Sequence, residues 1–416
     1  MLSKNVRGVL CEPTPSTKTC TLTLRCAARF SASAIEEPVA SLEKIYVSSR
    51  TSTDAASIAA ISAGKNASPF LSAPLLRLLS AAPPASPANG SLPAELVAGI
   101  AAYRRHPTRR DLEDPPALWT EGESRLLDYG GPPDGRPVLF VPSLVNRAYI
   151  LDLAEGRSML RHLAARHRVL LLDWGWPGAA ERGFTLTDYI AGRLERAIAA
   201  IGQPITLAGY CMGGLLAIAA AQRRPDLVQA LVLLATPWDF HAADPQAAGK
   251  LAALLPWLEP LMAPTNRLPI DALQTLFALL DPASIAGKYA GFARIDPDSP
   301  RAHQFVAIED WLNDGVPLAG PVARECLAGW YGANTPATLA WRVAGEPIDP
   351  ARLAVPAFVA IPARDRIVPP ESAAPLAALI PGATVHSPTA GHVGMVAGGS
   401  AERALWQPLD AWLAAL

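Results

Sequence analysis

The sequence has almost no net charge and no grouping of cysteines that would bind a metal or cross-link a small fold. Its 36 Lys and Arg residues balance 37 Asp and Glu residues, for a formal net charge of -1. Such a chain offers no broad field for nucleic acid or an anionic membrane. The cysteines, at positions 11, 20, 26, 211 and 326, include no Cys-x-x-Cys pair and no Cys/His cluster at zinc-ligand spacing. We therefore predict no disulfide framework, no metal site and no nucleic-acid partner.

Internal repeats and uninterrupted apolar runs of membrane-spanning length are also missing. The longest charge-free stretch, residues 197–222, contains Pro204 and several glycines, so it suits a helix end, a strand, a turn and a second helix better than a membrane span. Near the start, arginines interrupt the apolar segment 22–30, which argues against a signal peptide and leaves a transit-type leader open. The 41 prolines favour buried elements joined by stiff loops over a coiled coil or a solenoid.

Composition divides the chain into a tail, a linker, a core and an insertion. Residues 1–70, rich in Ser, Thr and Ala, are predicted to be a disordered or accessory tail, and residues 71–114 a helical and linker segment. Short apolar runs then alternate with helical patterns, which indicates an α/β fold with helices on both faces of a mostly parallel sheet. We predict that residues 115–239 and 346–416 form this core. Residues 240–345 are too many for a loop and are predicted to be an inserted cap.

Apolar runs predict six strands, the last of them short, and the patterns between them predict helices. The predicted strands are 138–141, 168–173, 205–208, 230–234, 357–361 and 383–386. The predicted helices are 152–166, 188–200, 213–223, 373–379 and 401–413.

A glycine-flanked cysteine follows the third predicted strand. The segment 209–214, Gly-Tyr-Cys-Met-Gly-Gly, is a Gly-x-nucleophile-x-Gly elbow with Cys211 where serine is common. Small neighbours permit the sharp turn from strand to helix, and amides at the helix N-terminus favour a thiolate. A buried cysteine in a glycine turn is the alternative interpretation.

An acid and a histidine follow two later strands, in the order typical of the α/β-hydrolase fold. Asp365 comes just after strand 357–361, and His392 lies in the glycine-flanked loop after strand 383–386. Together with Cys211 they predict a catalytic triad in which His392 is the base and Asp365 orients it. Asp239, after the fourth strand, occupies another place where this fold can carry its acid, and it remains the alternative.

Backbone amides beside the elbow predict the oxyanion hole. One amide belongs to Met212, the residue after the nucleophile, and the other to the loop after the first strand. Pro142 has no N–H, so the candidates run from Ser143 to Val145, of which we select Leu144.

The remaining chemically reactive residues have simpler interpretations. His241 and His303 lack a strand-end glycine context and are expected on the surface or in the cap. Ser143 has no elbow glycines and is not expected to be a nucleophile. Cys326 sits in an apolar pattern typical of a core thiol. No specific role is expected for Cys11, Cys20 and Cys26, which are in the tail.

Several segments together resemble the polyhydroxyalkanoate synthases. Residues 141–153, VPSLVNRAYILDL, are similar to the family segment V-P-P-x-I-N-K-x-Y-I-L-D-L. The elbow fits the family's G-x-C-x-G-G box, and Asp365 in RDRIVP and His392 in GHVGMVAG fit its D-x-I-x-P and G-H-x-x-G segments. The segment EDWLNDG, which contains Trp311, is similar to the family's cap region, which precedes the acid and histidine segments. The resemblance covers roughly residues 115–416.

The resemblance implies a Cys-His-Asp acyltransferase without a cofactor that polymerises (R)-3-hydroxyacyl-CoA into polyester and releases CoA. It implies substrate contacts from Ser143, Asn146, Tyr210 and Trp311. It also implies a cytoplasmic location, with granule association left open. The chain departs from the family at Ser143, where a second proline is usual, and at Arg147, where Lys is usual.

The partner and the final acyl acceptor stay open. The chain lacks the long N-terminal domain of single-subunit synthases, so its size is closer to forms that need a partner subunit; a homodimer and an accessory synthase subunit are both compatible. Two other functions compete with the synthase. One is a hydrolase of the dienelactone-hydrolase or thioesterase type, and the other is a granule-binding or accessory subunit without activity of its own.

Overall fold

The structure, a computed structural model, describes residues 94–280 and 282–416 of the chain, apart from the side chains of residues 279–280 and 282–285. The predicted tail 1–70, its three cysteines and the first part of the 71–114 segment lie outside the described residues.

Eight strands of the described residues form one sheet, in the order β1-β2-β4-β3-β5-β6-β7-β8. They are β1 (Ala117–Glu121), β2 (Ser124–Gly130), β3 (Pro137–Val141), β4 (Arg168–Asp173), β5 (Ile205–Tyr210), β6 (Val228–Leu234), β7 (Ala357–Ala360) and β8 (Thr384–His386). Strands β3 to β8 are parallel to one another, whereas β2 is antiparallel to both of its neighbours, β1 and β4. The six predicted strands and the mostly parallel sheet are confirmed.

Helices flank this sheet on both sides. The α-helices of the described residues are α1 (Ala94–Arg105), α2 (Met159–Ala164), α3 (Glu195–Ile201), α4 (Met212–Arg223), α5 (Pro245–Ala253), α6 (Leu255–Met262), α7 (Ile270–Leu280), α8 (Pro282–Phe292), α9 (Pro300–Asn313), α10 (Gly320–Arg324), α11 (Pro370–Leu379), α12 (His392–Ala397) and α13 (Gln407–Ala414). Every residue of β3, β5 and β7 is buried, because helices cover both faces of these strands. None of the described helices is long and apolar enough to cross a membrane.

Several shorter elements complete the described chain. Helical turns of π geometry span Asp188–Leu194, Glu325–Gly332 and Glu402–Trp406, and 3-10 turns span Ala148–Leu151, Glu181–Gly183 and Pro350–Arg352. Two-residue and three-residue strands pair as Asp152–Ala154 with Arg157–Ser158, Arg267–Leu268 with Leu318–Ala319, and Arg342–Val343 with Glu346–Pro347.

One predicted helix starts later than expected, and two strands were not predicted. Residues 152–158 form a small antiparallel hairpin that turns at Gly156, which has a φ of 65°, so the helix predicted over 152–166 begins only at Met159. Ser158 caps it by accepting a hydrogen bond from the Arg161 amide at 3.0 Å. Strands β1 and β2 were not predicted, because polar residues interrupt the apolar pattern of both strands and β1 is largely exposed.

The described residues between β6 and β7 contribute six helices, α5 to α10, and no strand of the main sheet. Helix α1, from the predicted linker, packs with α8 and α9 in a small separate core that includes Leu96, Ile100, Phe292 and Val306. Helix α9 has a well-defined start, because Ser299 accepts a hydrogen bond from the Ala302 amide and Pro300 occupies the first turn.

Candidate active site

The elbow after β5 holds Cys211 in a backbone conformation that few residues other than glycine adopt. Its φ is 56° and its ψ is -130°, directly before the first residue of α4. Such geometry costs free energy and persists only where the surroundings enforce it. Here the Cys211 amide donates to the carbonyl of Leu234, the last residue of the neighbouring strand β6, at 2.8 Å.

The glycines of the elbow are required by close packing. A Cβ atom added to Gly213 would lie 2.1 Å from the carbonyl oxygen of Val141, and one added to Gly209 would lie 2.4 Å from the Cα atom of Gly214. No real Cβ makes such contacts. The spacing Gly-x-Cys-x-Gly-Gly therefore lets helix α4 approach strands β3 and β5 closely enough to place Cys211 at the edge of the sheet.

Asp365 and His392 lie together next to this cysteine. The Nδ1 atom of His392 is 2.7 Å from Oδ2 of Asp365, and both side chains are buried. The other oxygen of Asp365, Oδ1, accepts hydrogen bonds at 2.9 Å from the amides of Ile367 and Val368. These two bonds fix the carboxylate, which in turn fixes the imidazole ring.

The imidazole also interacts with Cys211. Burial lowers the pKa of His392, but the charge of Cys211, the hydrogen bond to Asp365 and a hydrogen bond to Cys211 outweigh burial and raise this pKa to about 10. Both partners of the imidazole thus favour its charged form. The amides at the start of α4 likewise favour negative charge at Cys211.

The amides of the elbow helix and of the loop after β3 supply hydrogen-bond donors at this place. Met212 is the first residue of α4, where an N–H has no partner within the helix. In the loop, the Val145 amide donates to Oγ of Ser143 at 3.1 Å. Val145 is therefore already engaged, which leaves the amides of Ser143 and Leu144 as candidate second donors.

A largely apolar cavity of about 240 Å³ opens beside Cys211. Ser143, Val145, Cys211 and Met212 are among the residues that line it. The insertion supplies most of the lining, including Leu251, Leu273, Leu276, Phe277, Leu327, Trp330 and Tyr331. The sequence signal for Leu273, Leu276 and Phe277 was their helical spacing, which alone does not distinguish a cavity wall from a core.

Three residues expected to contact substrate have other positions. Tyr210 is buried beneath the site, where its hydroxyl donates to the carbonyl of His392 at 3.3 Å. Asn146 forms a backbone bridge with Gly315. Trp311 is buried and donates from Nε1 to the carbonyl of Arg147 at 2.7 Å. Of the four expected contacts, only Ser143 belongs to the cavity wall.

The alternative residues are occupied elsewhere. Asp239 lies on the cavity wall, and its Oδ1 accepts hydrogen bonds from the His241 amide and from Nδ2 of Asn334, both at 2.9 Å. The ring of His303 is 3.2 Å from Oγ1 of Thr108. Cys326 also lines the cavity, and burial raises the pKa of its thiol well above the usual range. Within the described ranges, no group of three or more His, Cys, Asp or Glu side chains is arranged to hold a metal ion.

Known proteins resemble this chain in both fold and sequence. The alpha/beta hydrolase fold family matches residues 136–398. The poly(3-hydroxyalkanoate) polymerase subunit PhaC of Synechocystis sp. is 31% identical over 67% of this chain and 77% of its own length. The protein of the same name from Allochromatium vinosum is 28% identical over 71% of this chain and 87% of its own length. A hydrolase structure from Oleispira antarctica, 15% identical, aligns with a TM-score of 0.44 over 70% of this chain and 94% of that one.

Proposed function

Because the chain belongs to the poly(3-hydroxyalkanoate) polymerase subunit PhaC family, within the alpha/beta hydrolase fold, we propose that Cys211, His392 and Asp365 catalyse the polymerisation of (R)-3-hydroxyacyl groups from CoA thioesters. The observation that carries this proposal is the bonded Asp365–His392 pair in contact with Cys211, which lines a largely apolar cavity.

The first half-reaction exchanges one thioester for another. His392 takes the proton of the Cys211 thiol, and the thiolate attacks the acyl carbonyl. Amides of Met212 and of Ser143 or Leu144 stabilise the oxyanion of the tetrahedral intermediate. When the intermediate collapses, the C–S bond to CoA breaks, and the CoA thiolate leaves with the proton that His392 had taken from Cys211. The enzyme is then acylated on Cys211.

The second half-reaction forms the ester bond of the polymer. His392 removes the proton from the 3-hydroxyl of another hydroxyacyl unit, whose oxygen attacks the acyl-Cys211 carbonyl; the thiolate that leaves is reprotonated by His392. Asp365 stabilises the imidazolium in both halves. A thioester on Cys211 remains reactive toward a hydroxyl, whereas the oxygen ester on a serine nucleophile would be less reactive.

The insertion is proposed to act as a cap that keeps water from the acyl enzyme. Elongation competes with hydrolysis, and water at the acyl-cysteine would end the chain. The leucine and aromatic side chains that the insertion contributes to the cavity lining support this role, since they provide few groups that would hold water there.

We test the proposal by giving pure protein (R)-3-hydroxybutyryl-CoA, measuring thiol release, and identifying the acyl product by mass and by polymer extraction. We expect CoA release with polymer, or with a ladder of oligomers on Cys211. Free 3-hydroxybutyrate as the sole product would replace the polymerase with a hydrolase. Absence of any CoA release would favour a binding subunit without activity.

The matched variants are Cys211→Ala and Cys326→Ala, because both cysteines line the same cavity. Cys211→Ala should abolish acyl transfer, since among the described residues Cys211 is the nucleophile that is hydrogen-bonded to the His392 imidazole. Cys326→Ala should keep most of it. Substantial CoA release by Cys211→Ala would refute the assignment of the nucleophile.

The assembly state and the location belong to the same proposal. We propose that the chain acts as a homodimer or together with an accessory synthase subunit, and that it associates with the polyester it makes. Sedimentation of the pure protein with and without substrate tests the first point. Fractionation of polymer-producing cells tests the second.

A further inference from the structure

Helix α9, which belongs to the insertion, contacts both sides of the candidate active site without lining the cavity. We define the oxyanion loop as residues 142–147, between β3 and the short helical turn Ala148–Leu151. At one end α9 meets this loop, and nearer its start it meets α12, the helix that begins with His392.

Residues 311–315 make three contacts with the oxyanion loop and one with the short helical turn that follows it. Nε1 of Trp311 donates to the carbonyl of Arg147 at 2.7 Å. Just after the helix, Asp314 lies 3.5 Å from Nε of Arg147 and accepts a hydrogen bond from the Tyr149 hydroxyl. Gly315 then forms an antiparallel backbone bridge with Asn146. The loop that carries the second oxyanion donor is thus held from one side by residues 311–315.

The contact to the histidine helix is made one to two turns earlier. Nε2 of Gln304 donates to the carbonyl of Ala397, the last residue of α12, at 3.0 Å. Helix α9 therefore spans from the helix that carries the base to the loop that carries the oxyanion donor.

The far face of α9 is anchored by buried polar bonds. Glu309, which is 2% exposed, accepts from the Tyr289 hydroxyl and from Nζ of Lys288, each at 2.7 Å. The hydroxyl of Tyr103 donates to Asp310 at 2.7 Å. Because α1 and α8 hold α9 in this way, the position from which α9 contacts the oxyanion loop and α12 is fixed.

We infer that Trp311 is a positioning residue for acyl transfer, acting through the carbonyl of Arg147 to hold the oxyanion loop in register with Cys211. The inference rests on the proposed function. Trp311 does not touch the cavity, so its effect passes through the loop. An oxyanion donor is effective only when its N–H points at the developing charge, and a displacement of about 1 Å can cost roughly 100-fold in rate.

The test compares two reactions of Cys211 that differ in their need for an oxyanion hole. Cleavage of (R)-3-hydroxybutyryl-CoA builds negative charge on a carbonyl oxygen, whereas alkylation of the thiolate by iodoacetamide displaces iodide and builds none. Alkylation is followed at Cys211 itself by mass spectrometry of its peptide. A loss confined to thioester cleavage therefore identifies a defect of the oxyanion loop.

In Trp311→Phe we expect kcat for thioester cleavage to fall about tenfold or more, with KM and the alkylation rate each within about twofold of wild type. Trp406→Phe is the matched control, because Nε1 of Trp406 also donates from the same core to a carbonyl, that of Val396, at 3.0 Å. That carbonyl belongs to the histidine helix, so any loss in Trp406→Phe should affect cleavage and alkylation by the same factor.

Asp314→Ala keeps the inference testable if Trp311→Phe does not fold. Asp314 is partly exposed, and the substitution releases Arg147 and Tyr149. It should show the same selective loss of cleavage, by a smaller factor. An unchanged kcat in both variants, or a parallel fall of cleavage and alkylation, would overturn the positioning role.

If wild type transfers acyl groups only to water, the polymerase proposal fails, while thioester cleavage still decides the role of Trp311. If wild type cleaves no thioester, both proposals fail.

Discussion

Replacing Asp365 by asparagine removes the negative charge of the acid and keeps the size and shape of its side chain. In the wild type, Oδ1 of Asp365 accepts from the amides of Ile367 and Val368, and Oδ2 lies 2.7 Å from Nδ1 of His392. An asparagine keeps one oxygen for the two amides and therefore directs its NH₂ group at the imidazole. The ring must then accept a hydrogen bond at Nδ1 and carry its proton on Nε2, where it cannot act as a base toward Cys211.

The magnitude follows from the bond that is lost. A buried hydrogen bond to a charged group contributes about 1.5–3 kcal/mol, and about 1.4 kcal/mol corresponds to a factor of ten in rate. Loss of the Asp365–His392 bond alone should lower kcat/KM by roughly 10- to 150-fold. The unfavourable tautomer lowers it further, so this figure is a lower bound. The protein should remain folded, because the two amide bonds that fix the loop survive.

The assay is CoA release from (R)-3-hydroxybutyryl-CoA, with Asp239→Asn as the control. Asp239 is the other strand-end carboxylate, and an asparagine there also keeps an oxygen for its donors, the His241 amide and Asn334. We expect Asp239→Asn to lose less than about threefold, since His392 is bonded to Asp365. If Asp239→Asn lost more activity than Asp365→Asn, the acid of the triad would be Asp239 and the assignment of Asp365 would be wrong.

Two further predictions concern stability. The unfolded imidazole of His392 loses its proton near pH 6.5, whereas the folded one keeps it up to about pH 10; its stabilisation is therefore full below pH 6.5 and is lost as the pH rises to 10. Urea unfolding at pH 6, 8 and 10 should show a steeper decline for wild type than for His392→Gln, and equal slopes would contradict the ion pair. Gly213→Ala should lower the free energy of unfolding by about 2 kcal/mol or more, because its Cβ would meet the Val141 carbonyl at 2.1 Å. Gly249→Ala is the control, because Gly249 is exposed on α5 and an added Cβ would meet no neighbouring atom within 4 Å. This variant should be neutral or stabilising by up to about 1 kcal/mol. A similar loss of stability in both variants would refute the packing argument.

The sheet and the positions of the candidate triad were predictable because local sequence decides them. A strand buried on both faces must be apolar throughout, as in β3 and β5, so it stands out from its surroundings. Parallel strands also bring their carboxyl ends to one edge, which makes the order of Cys211, Asp365 and His392 informative without any knowledge of the loops. The error over residues 152–158 shows the limit of such patterns, because a single turn at Gly156 converts an apparently helical pattern into a hairpin.

The roles of Trp311, Asn146 and Tyr210 were not predictable, because they depend on which distant segments pack together. A tryptophan in an insertion can line a cavity or fill a core, and its sequence neighbours are the same in both cases. Only the contact between α9 and the loop at Arg147, 164 positions away, distinguishes the two. The resemblance indicated that Trp311 matters and implied a contact with substrate, whereas the residue lies outside the lining of the cavity.

The placement of the insertion between β6 and β7 links the shape of the cavity to the geometry of the oxyanion loop. Helices α5 and α7 supply cavity walls, while α9, in the same insertion, holds the loop through Trp311 and the histidine helix through Gln304. A change that moves the insertion relative to the sheet therefore alters both the space for the acyl group and the alignment of the oxyanion donors. A substitution that only enlarges the cavity, on α7 for example, should change the preference among acyl chains and leave the ratio of thioester cleavage to alkylation intact. A substitution in 311–315 should lower the ratio of thioester cleavage to alkylation and leave the preference among acyl chains intact, because it alters the oxyanion loop without altering the cavity lining.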